Sequence, residues 1–163
     1  MRTPWKKFTW TTGLLLLFCV GASAAAENPL PPKPGPREKC PVCGMFVAKY
    51  PDWLAAVGFE DGHTAYFDGA KDMFKYLFDV KKYDPSRSAE AVRRIHVTEY
   101  YDMRLIPAEE AFFVIGSDVY GPMGRELIPL ATAEDAATFS ADHHGKRTVR
   151  FDEITPDLIE TLD

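Results

Sequence analysis

Two thiols and a thioether stand within one short stretch, Cys40-Pro41-Val42-Cys43-Gly44-Met45. Four chemistries use cysteines at this spacing. A thioredoxin-like redox pair opens a helix that follows a strand, whereas here a proline-rich segment precedes the pair and Pro51 follows it. A structural zinc site needs four ligands. No second Cys-x-x-Cys is present to complete one, which leaves His143 and His144 as the other candidates. A disulfide across so small a loop gains little from loop closure. A soft metal ion is the fourth reading, because thiolate and thioether donors together select Cu(I) over harder ions.

A second thioether bears on that choice. Met123 lies in Gly121-Pro122-Met123-Gly124, where glycines flank the Pro-Met pair and mark a tight turn. Core packing is a poor reason for a methionine there, and a thioether held on a loop is available as a ligand. Met73 falls on an apolar helix face and Met103 at a strand end, so both read as packing residues. His143 and His144 precede Gly145 at the end of an expected helix, where an imidazole serves equally as a C-terminal cap or as a third ligand beside sulfur. His63 and His96 read as turn and sheet residues. No Gly-x-Ser-x-Gly nucleophile and no phosphate-binding glycine loop occurs, and Asp and Glu are scattered as on a solvated face. The cysteines are the one route to catalysis.

The elements that must position these residues follow from pattern. Trp53 to Phe59 and His63 to Phe67 are β-compatible runs around Asp61-Gly62, which predicts a hairpin. A helix is expected from Asp68 or Gly69 to Val80, with Met73, Phe74, Leu77 and Phe78 on one face. Residues 81–91 are polar, contain Pro85 and read as a linker. A second series follows: a strand over Ile95 to Tyr101, a buried strand over Ala111 to Ile115, a helix opened by Thr132 with Asp135, and a strand over Thr148 to Phe151. Thr155-Pro156 is a good cap and first position for a short terminal helix. The strand–hairpin–helix order thus occurs roughly twice, and the class is α+β with small antiparallel sheets.

Of the 163 residues, the first 24 read as a secretory signal peptide. Arg2, Lys6 and Lys7 form the basic region, Gly13 to Val20 the apolar core, and Ala22-Ser23-Ala24 a cleavage site. The apolar run falls short of the roughly 20 residues a membrane span needs. Cys19 follows that core as a lipidated cysteine would, although Phe18 before it is a poor lipobox residue. Removal of residues 1–24 takes away three basic residues and no acidic one, leaving 16 Lys and Arg against 24 Asp and Glu, a formal −8. That balance excludes the clustered cations that nucleic-acid binding uses. Residues 25–38 carry five prolines and read as an extended tether that buries nothing. The folded domain is expected over 39–163, with halves at 39–92 and 93–163.

With these residues in hand the chain resembles the NosL family, the exported copper-binding accessory proteins of nitrous oxide reductase. The resemblance runs from Cys40 to about Ile154 through "CPVCGM", "KYPDWLAAV", "FFVIGSDVYGPMGRELIPLATAEDAATF" and "HHGKRTVRFDEI". It implies two small ββαβ-like halves related to a domain of organomercurial lyase. It also implies Cu(I) held by a cysteine, a methionine and a histidine, and delivered to the sulfide-bridged copper cluster of the reductase. Carried over by residue, Cys43 and Cys40 match the cysteine motif, Met45 its methionine, Met123 the Gly-Pro-Met-Gly methionine and His143 the late histidine. The usual His-Gly-Gly reads His143-His144-Gly145 here, so His144 competes for that role. Many members are lipoproteins, which bears on Cys19.

The expectation is a non-catalytic Cu(I) chaperone, periplasmic or otherwise exported, released by cleavage after Ala24 or Ala26 in preference to the alternative, membrane attachment through a lipid on Cys19. Its partners are a copper-accepting enzyme or that enzyme's maturation transporter. The rivals are a thiol oxidoreductase that keeps copper-ligand cysteines reduced and a binding module in which Cys40 and Cys43 form a structural disulfide.

Overall fold

The computed structural model describes residues 29–163. The expected signal peptide, the lipid-attachment position Cys19 and the first tether residues lie outside the described residues. The structure opens with two 3-10 turns, Val47–Lys49 and Pro51–Trp53, and then builds two units of the same plan.

The first unit is β1 (Ala55–Phe59), β2 (Thr64–Phe67), α1 (Ala70–Phe78), α2 (Val80–Tyr83) and β3 (Val92–Thr98). β1 and β2 form the expected hairpin, pairing Ala55 with Phe67 and Gly58 with Thr64. Its turn is closed by Asp61, whose Oδ1 accepts from the His63 N–H at 3.0 Å. β1 is the central strand, with all five residues buried, which is why "AAVGF" reads as a continuous apolar run and not as an alternation. α1 buries Met73, Phe74 and Tyr76 against this sheet, and the chain returns to lay β3 on the free edge of β1. β4 (Leu105–Pro107) extends the sheet, whose order is β2-β1-β3-β4, antiparallel throughout.

The second unit is β5 (Phe112–Ile115), the small hairpin β6 (Tyr120–Gly121) and β7 (Gly124–Arg125), then β8 (Ile128–Leu130), α3 (Ala133–Asp142) and β9 (Arg147–Arg150), with α4 (Pro156–Glu160) after it. Thr132 caps α3 as expected, accepting from the Asp135 N–H at 3.0 Å. The sheet order is β8-β5-β9, and β2-β1-β3 has the same plan: central strand first, hairpin partner second, and the strand after the helix on the other edge. Two ββαβ units are therefore present. The division expected at 92/93 is corrected, because β3 pairs with β1 and so closes the first unit instead of opening the second.

One core unites the units. It runs in sequence from Cys40 to Leu162, and the Phe74 ring of α1 meets Phe113 of β5 edge to face at 5.5 Å. Such aromatic contacts add about 1 kcal/mol to the burial of each ring. A smaller cluster of Val114, Ile128, Leu130, Ala136 and Phe139 lies under α3. There Gly145 permits the close approach: a Cβ on it would stand 2.5 Å from Val114 Cγ1.

Two loop expectations change. The proline-rich segment is anchored, not free. Prolines lack an N–H but keep a carbonyl acceptor, and Tyr66 Oη donates to the Pro32 oxygen at 2.7 Å. The Val47 N–H likewise bonds the Glu38 oxygen at 3.1 Å. Within the expected linker, α2 forms one turn because Asp79 caps it, accepting from the Lys82 N–H at 3.1 Å, and Val80 is buried beneath it.

Candidate metal centre

The cysteine motif folds into a knuckle. The Cys40 N–H donates to the Met45 carbonyl and the Gly44 N–H to the Cys40 carbonyl, each at 2.9 Å. Gly44 takes φ +79°, a left-handed conformation that glycine adopts without strain. The turn aims the N–H groups of Cys43 and Val42 at the Cys40 sulfur and that of Met45 at the Cys43 sulfur. Lys39 and Phe46 pair across the base of the knuckle. Both thiols are free, so the clip reading finds no disulfide here.

The knuckle faces the start of α1. Asp68 ends the segment after β2, and Asp72 lies four residues on, in the first helical turn. The Cys43 thiol donates to Asp68 Oδ1 at 3.1 Å and the Cys40 thiol to Asp72 Oδ2 at 3.4 Å. One ligand atom from each of these four side chains lies within 4.8 Å of all the others. Cys40, Asp68 and Asp72 are buried and Cys43 is half-buried, so the group opens to solvent on the Cys43 side. The second oxygen of Asp68 is buried without a hydrogen-bond partner, a costly state unless a ligand satisfies it.

Electrostatics keep this metal-free site protonated. Burial pushes the Cys40 thiol up to about 12 against the lowering effect of the knuckle N–H groups, and the Asp72 charge adds to the rise. Burial pushes Cys43 up further, with the Asp68 carboxylate next among the raising causes. Two thiolates beside two carboxylates would repel one another. A bound cation would remove that penalty, and its binding there would expel the thiol protons.

Of the other candidates, Met123 reaches the same helix start. It occupies the turn of the β6–β7 hairpin, with Gly121 paired to Gly124 and φ +88° at Gly124. Its carbonyl accepts from Lys71 Nζ at 3.0 Å, and Lys71 is the neighbour of Asp72. Its side chain is 44% exposed. Met45 is half-buried and contributes its carbonyl to the knuckle.

The histidines lie elsewhere. His143 is the C-terminal cap of α3, stacked on Phe139 with centroids 4.5 Å apart and with Nδ1 3.1 Å from Asp118 Oδ1. His144 is exposed at φ +56°, the left-handed residue that closes the helix end, where the Gly145 N–H bonds the Ser140 oxygen. Among the described residues the converging Cys, His, Asp and Glu group holds neither of them. His96 is a buried sheet residue opposite Ala56, and burial lowers its basicity.

Asp68 and Asp72 were hidden by the reading of carboxylates as a solvated face. The available signal was two acids four apart where a strand gives way to a helix, a spacing that puts both at one helix start.

A model described as NosL matches residues 31–159. The chain is 29% identical over 131 residues to the copper-binding lipoprotein NosL of Stutzerimonas stutzeri. That stretch is 76% of this chain and 65% of the relative, which is less than two thirds of its length. The fold is similar to the crystal structure of the copper chaperone NosL from Shewanella denitrificans. The TM-score is 0.65 and the identity 25%, over 79% of this chain and 99% of that one. A solution structure of apo-NosL from Achromobacter cycloclastes aligns with a TM-score of 0.46 and 24% identity, over 64% of this chain and 87% of that one.

Proposed function

The chain belongs to the NosL family, and from that premise we propose that it is an exported metallochaperone whose cargo is Cu(I). The observation that carries this reading is the convergence of two free thiols on two buried carboxylates beside the turn that bears Met123. Sulfur donors select Cu(I). Half-buried Cys43 and exposed Met123 are the first ligands in this reading, with Cys40 second and Met45 as packing. Asp68 and Asp72 would balance the charge and accept hydrogen bonds from whichever thiol stays protonated. His143 keeps its place in the α3 wall.

An accessible thiolate and thioether suit transfer, since a partner's ligand must reach the ion before the chaperone's leaves. The client we propose is the copper-sulfide centre of nitrous oxide reductase, reached directly or through its maturation transporter. The setting is the periplasmic space, with the protein either released by cleavage after Ala24 or, in place of that cleavage, held at the membrane by a lipid on Cys19, and residues 39–163 form the copper-binding domain. No helix among the described residues is long and apolar enough to cross a membrane. No turnover is assigned. A thiol oxidoreductase needs a nucleophile of lowered pKa, and both thiols here are raised.

Titration of reduced protein with Cu(I) against a chromophoric chelator tests the reading. Wild type should bind one ion, and Cys43→Ser and Met123→Ala should each weaken binding by about tenfold or more. Wild-type affinity in both variants would sink the assignment. Transfer from loaded protein to copper-free nitrous oxide reductase, and none to an unrelated copper acceptor, tests the client.

A further inference from the structure

Met123 presents its thioether on an exposed turn, so side-chain packing cannot fix where the sulfur stands; the backbone must. Two buried charged residues hold that backbone. Lys71 is 2% exposed, and its ammonium donates to the Met123 carbonyl at 3.0 Å and the Leu162 carbonyl at 3.1 Å, with Asp163 Oδ1 at 3.4 Å. Three oxygens thus meet three N–H donors. A lysine in the first turn of α1 has the wrong sign for the helix dipole, and burying it costs several kcal/mol unless it is well partnered. Helix formation therefore does not account for it.

Glu126, at the other end of the same hairpin, is 3% exposed. Its Oε1 accepts from the Lys71 N–H at 2.5 Å and the Leu127 N–H at 3.0 Å. The carboxylate is wedged between two glycines. A Cβ on Gly69 would lie 2.3 Å from Oε2, and one on Gly121 would lie 3.1 Å from Cγ. A single residue, Lys71, is thus tied to the Met123 turn twice, by its backbone through Glu126 and by its ammonium through the Met123 carbonyl. Its chain neighbour Asp72 accepts from Cys40, and Asp68, three residues before it, accepts from Cys43.

We propose that Lys71 and Glu126 are positioning residues that set the Met123 thioether against the cysteine pair. They hold a loop of the second ββαβ unit in register with α1 of the first, whose Asp72 receives the Cys40 thiol. This rests on the copper reading of Cys43 and Met123, and the test separates the two. Cu(I) affinity is measured by chelator competition for wild type, Met123→Ala, Lys71→Leu and the double variant, with the sulfur count at copper read by X-ray absorption.

Lys71→Leu, which brings no sulfur of its own, should weaken binding by about tenfold, as loss of a group supporting a ligand does, and should remove one sulfur from the copper shell. Added to Met123→Ala, it should change nothing further. Should Lys71→Leu fail to fold, Gly121→Ala, on the hairpin itself, pushes the turn against Glu126 and should weaken binding several-fold only when Met123 is present. Wild-type affinity in both positioning variants, or equal losses with and without Met123, would overturn the inference and leave the copper reading intact. Wild-type affinity in Met123→Ala would overturn this inference together with the ligand role of Met123, while the role of Cys43 is tested separately by Cys43→Ser.

Discussion

The Cys43 thiol donates to Asp68 Oδ1 at 3.1 Å, and one helical turn on the Cys40 thiol makes the same contact with Asp72 at 3.4 Å. A carboxylate beside a thiol acts against thiolate formation, and burial acts the same way. The backbone N–H groups of the knuckle oppose both. Both thiols are therefore held in the protonated form, which slows their oxidation and alkylation.

The first consequence concerns thiol reactivity. Only the thiolate is a nucleophile, so alkylation of metal-free protein at pH 8 should be slow, and what occurs should fall on half-buried Cys43. Asp68→Asn removes a raising charge while keeping the shape of the side chain. It should accelerate alkylation of Cys43 several-fold, with Cys40 still protected by burial. Mass spectrometry of a labelling time course reads this directly, and an unchanged rate in Asp68→Asn would show that the carboxylate does not control the thiol.

Glu126 supplies a stability prediction. Burial raises its carboxyl to about 8 from an ordinary 4.5, against the lowering effect of the Leu127 and Lys71 N–H groups. Between those values the folded state binds more protons than the unfolded state, so stability falls as pH rises through the window from 4.5 to about 8. The effect is on the order of a few kcal/mol at most. Glu126→Gln abolishes the titration, so its melting temperature should gain on wild type as pH rises from 5 to 8.5. Parallel melting curves across that range would place the proton elsewhere.

What was legible in the sequence divides along local and non-local lines. Met73 and Phe74 on one helical face, the Thr132 cap and the Asp61-Gly62 turn each declare themselves within a few residues, and α1, α3 and the β1–β2 hairpin followed. Cys40, Cys43 and Met123 stood out because soft donors on glycine-rich turns have few other uses. The partner of β3 was not legible, since Val92–Thr98 carries no mark of whether it joins the strand before or after it. β8 was hidden by Pro129, tolerable there because β8 is an edge strand. The largest omission, the quartet of Asp68, Asp72, Lys71 and Glu126, has a single cause. A charged residue has the same letter whether water or a folded interior surrounds it; here the cysteine knuckle closes over Asp68 and Asp72, and the β6–β7 hairpin returns to Lys71 and brings Glu126 with it.

His143 tests how far the family resemblance carries. Its imidazole is held by Asp118 and stacked on Phe139, and to reach the thiols it would have to leave both. His143→Ala should cost roughly 1 kcal/mol of stability, as loss of an aromatic stack does. Chelator competition should find Cu(I) affinity within about twofold of wild type, a change well under the tenfold expected for a ligand. A tenfold loss would mean that the loaded protein rearranges α3 toward the knuckle.

The pH dependence of copper binding ties these strands together. With Cys40 pushed up to about 12 and Cys43 also raised by burial, both thiols are protonated across the physiological range. Each thiol that becomes a ligand must shed a proton, so apparent Cu(I) affinity should rise about tenfold per pH unit for every thiolate in the copper shell. A slope near one assigns a single cysteine, and a slope near two assigns both. The thioether of Met123 carries no proton, so Met123→Ala should lower the affinity at every pH and leave the slope unchanged. Cys43→Ser should lower the slope by about one, whereas Cys40→Ser should do so only if Cys40 is also a ligand. Measured from pH 6 to 8.5, the slopes identify the ligand cysteines without a structure of the loaded form. A flat profile would mean that no thiol proton is displaced, and copper would then have to sit away from the knuckle. The same linkage gives release a direction, because a proton returned to Cys43 weakens the hold on the ion when a partner's ligand is already in place.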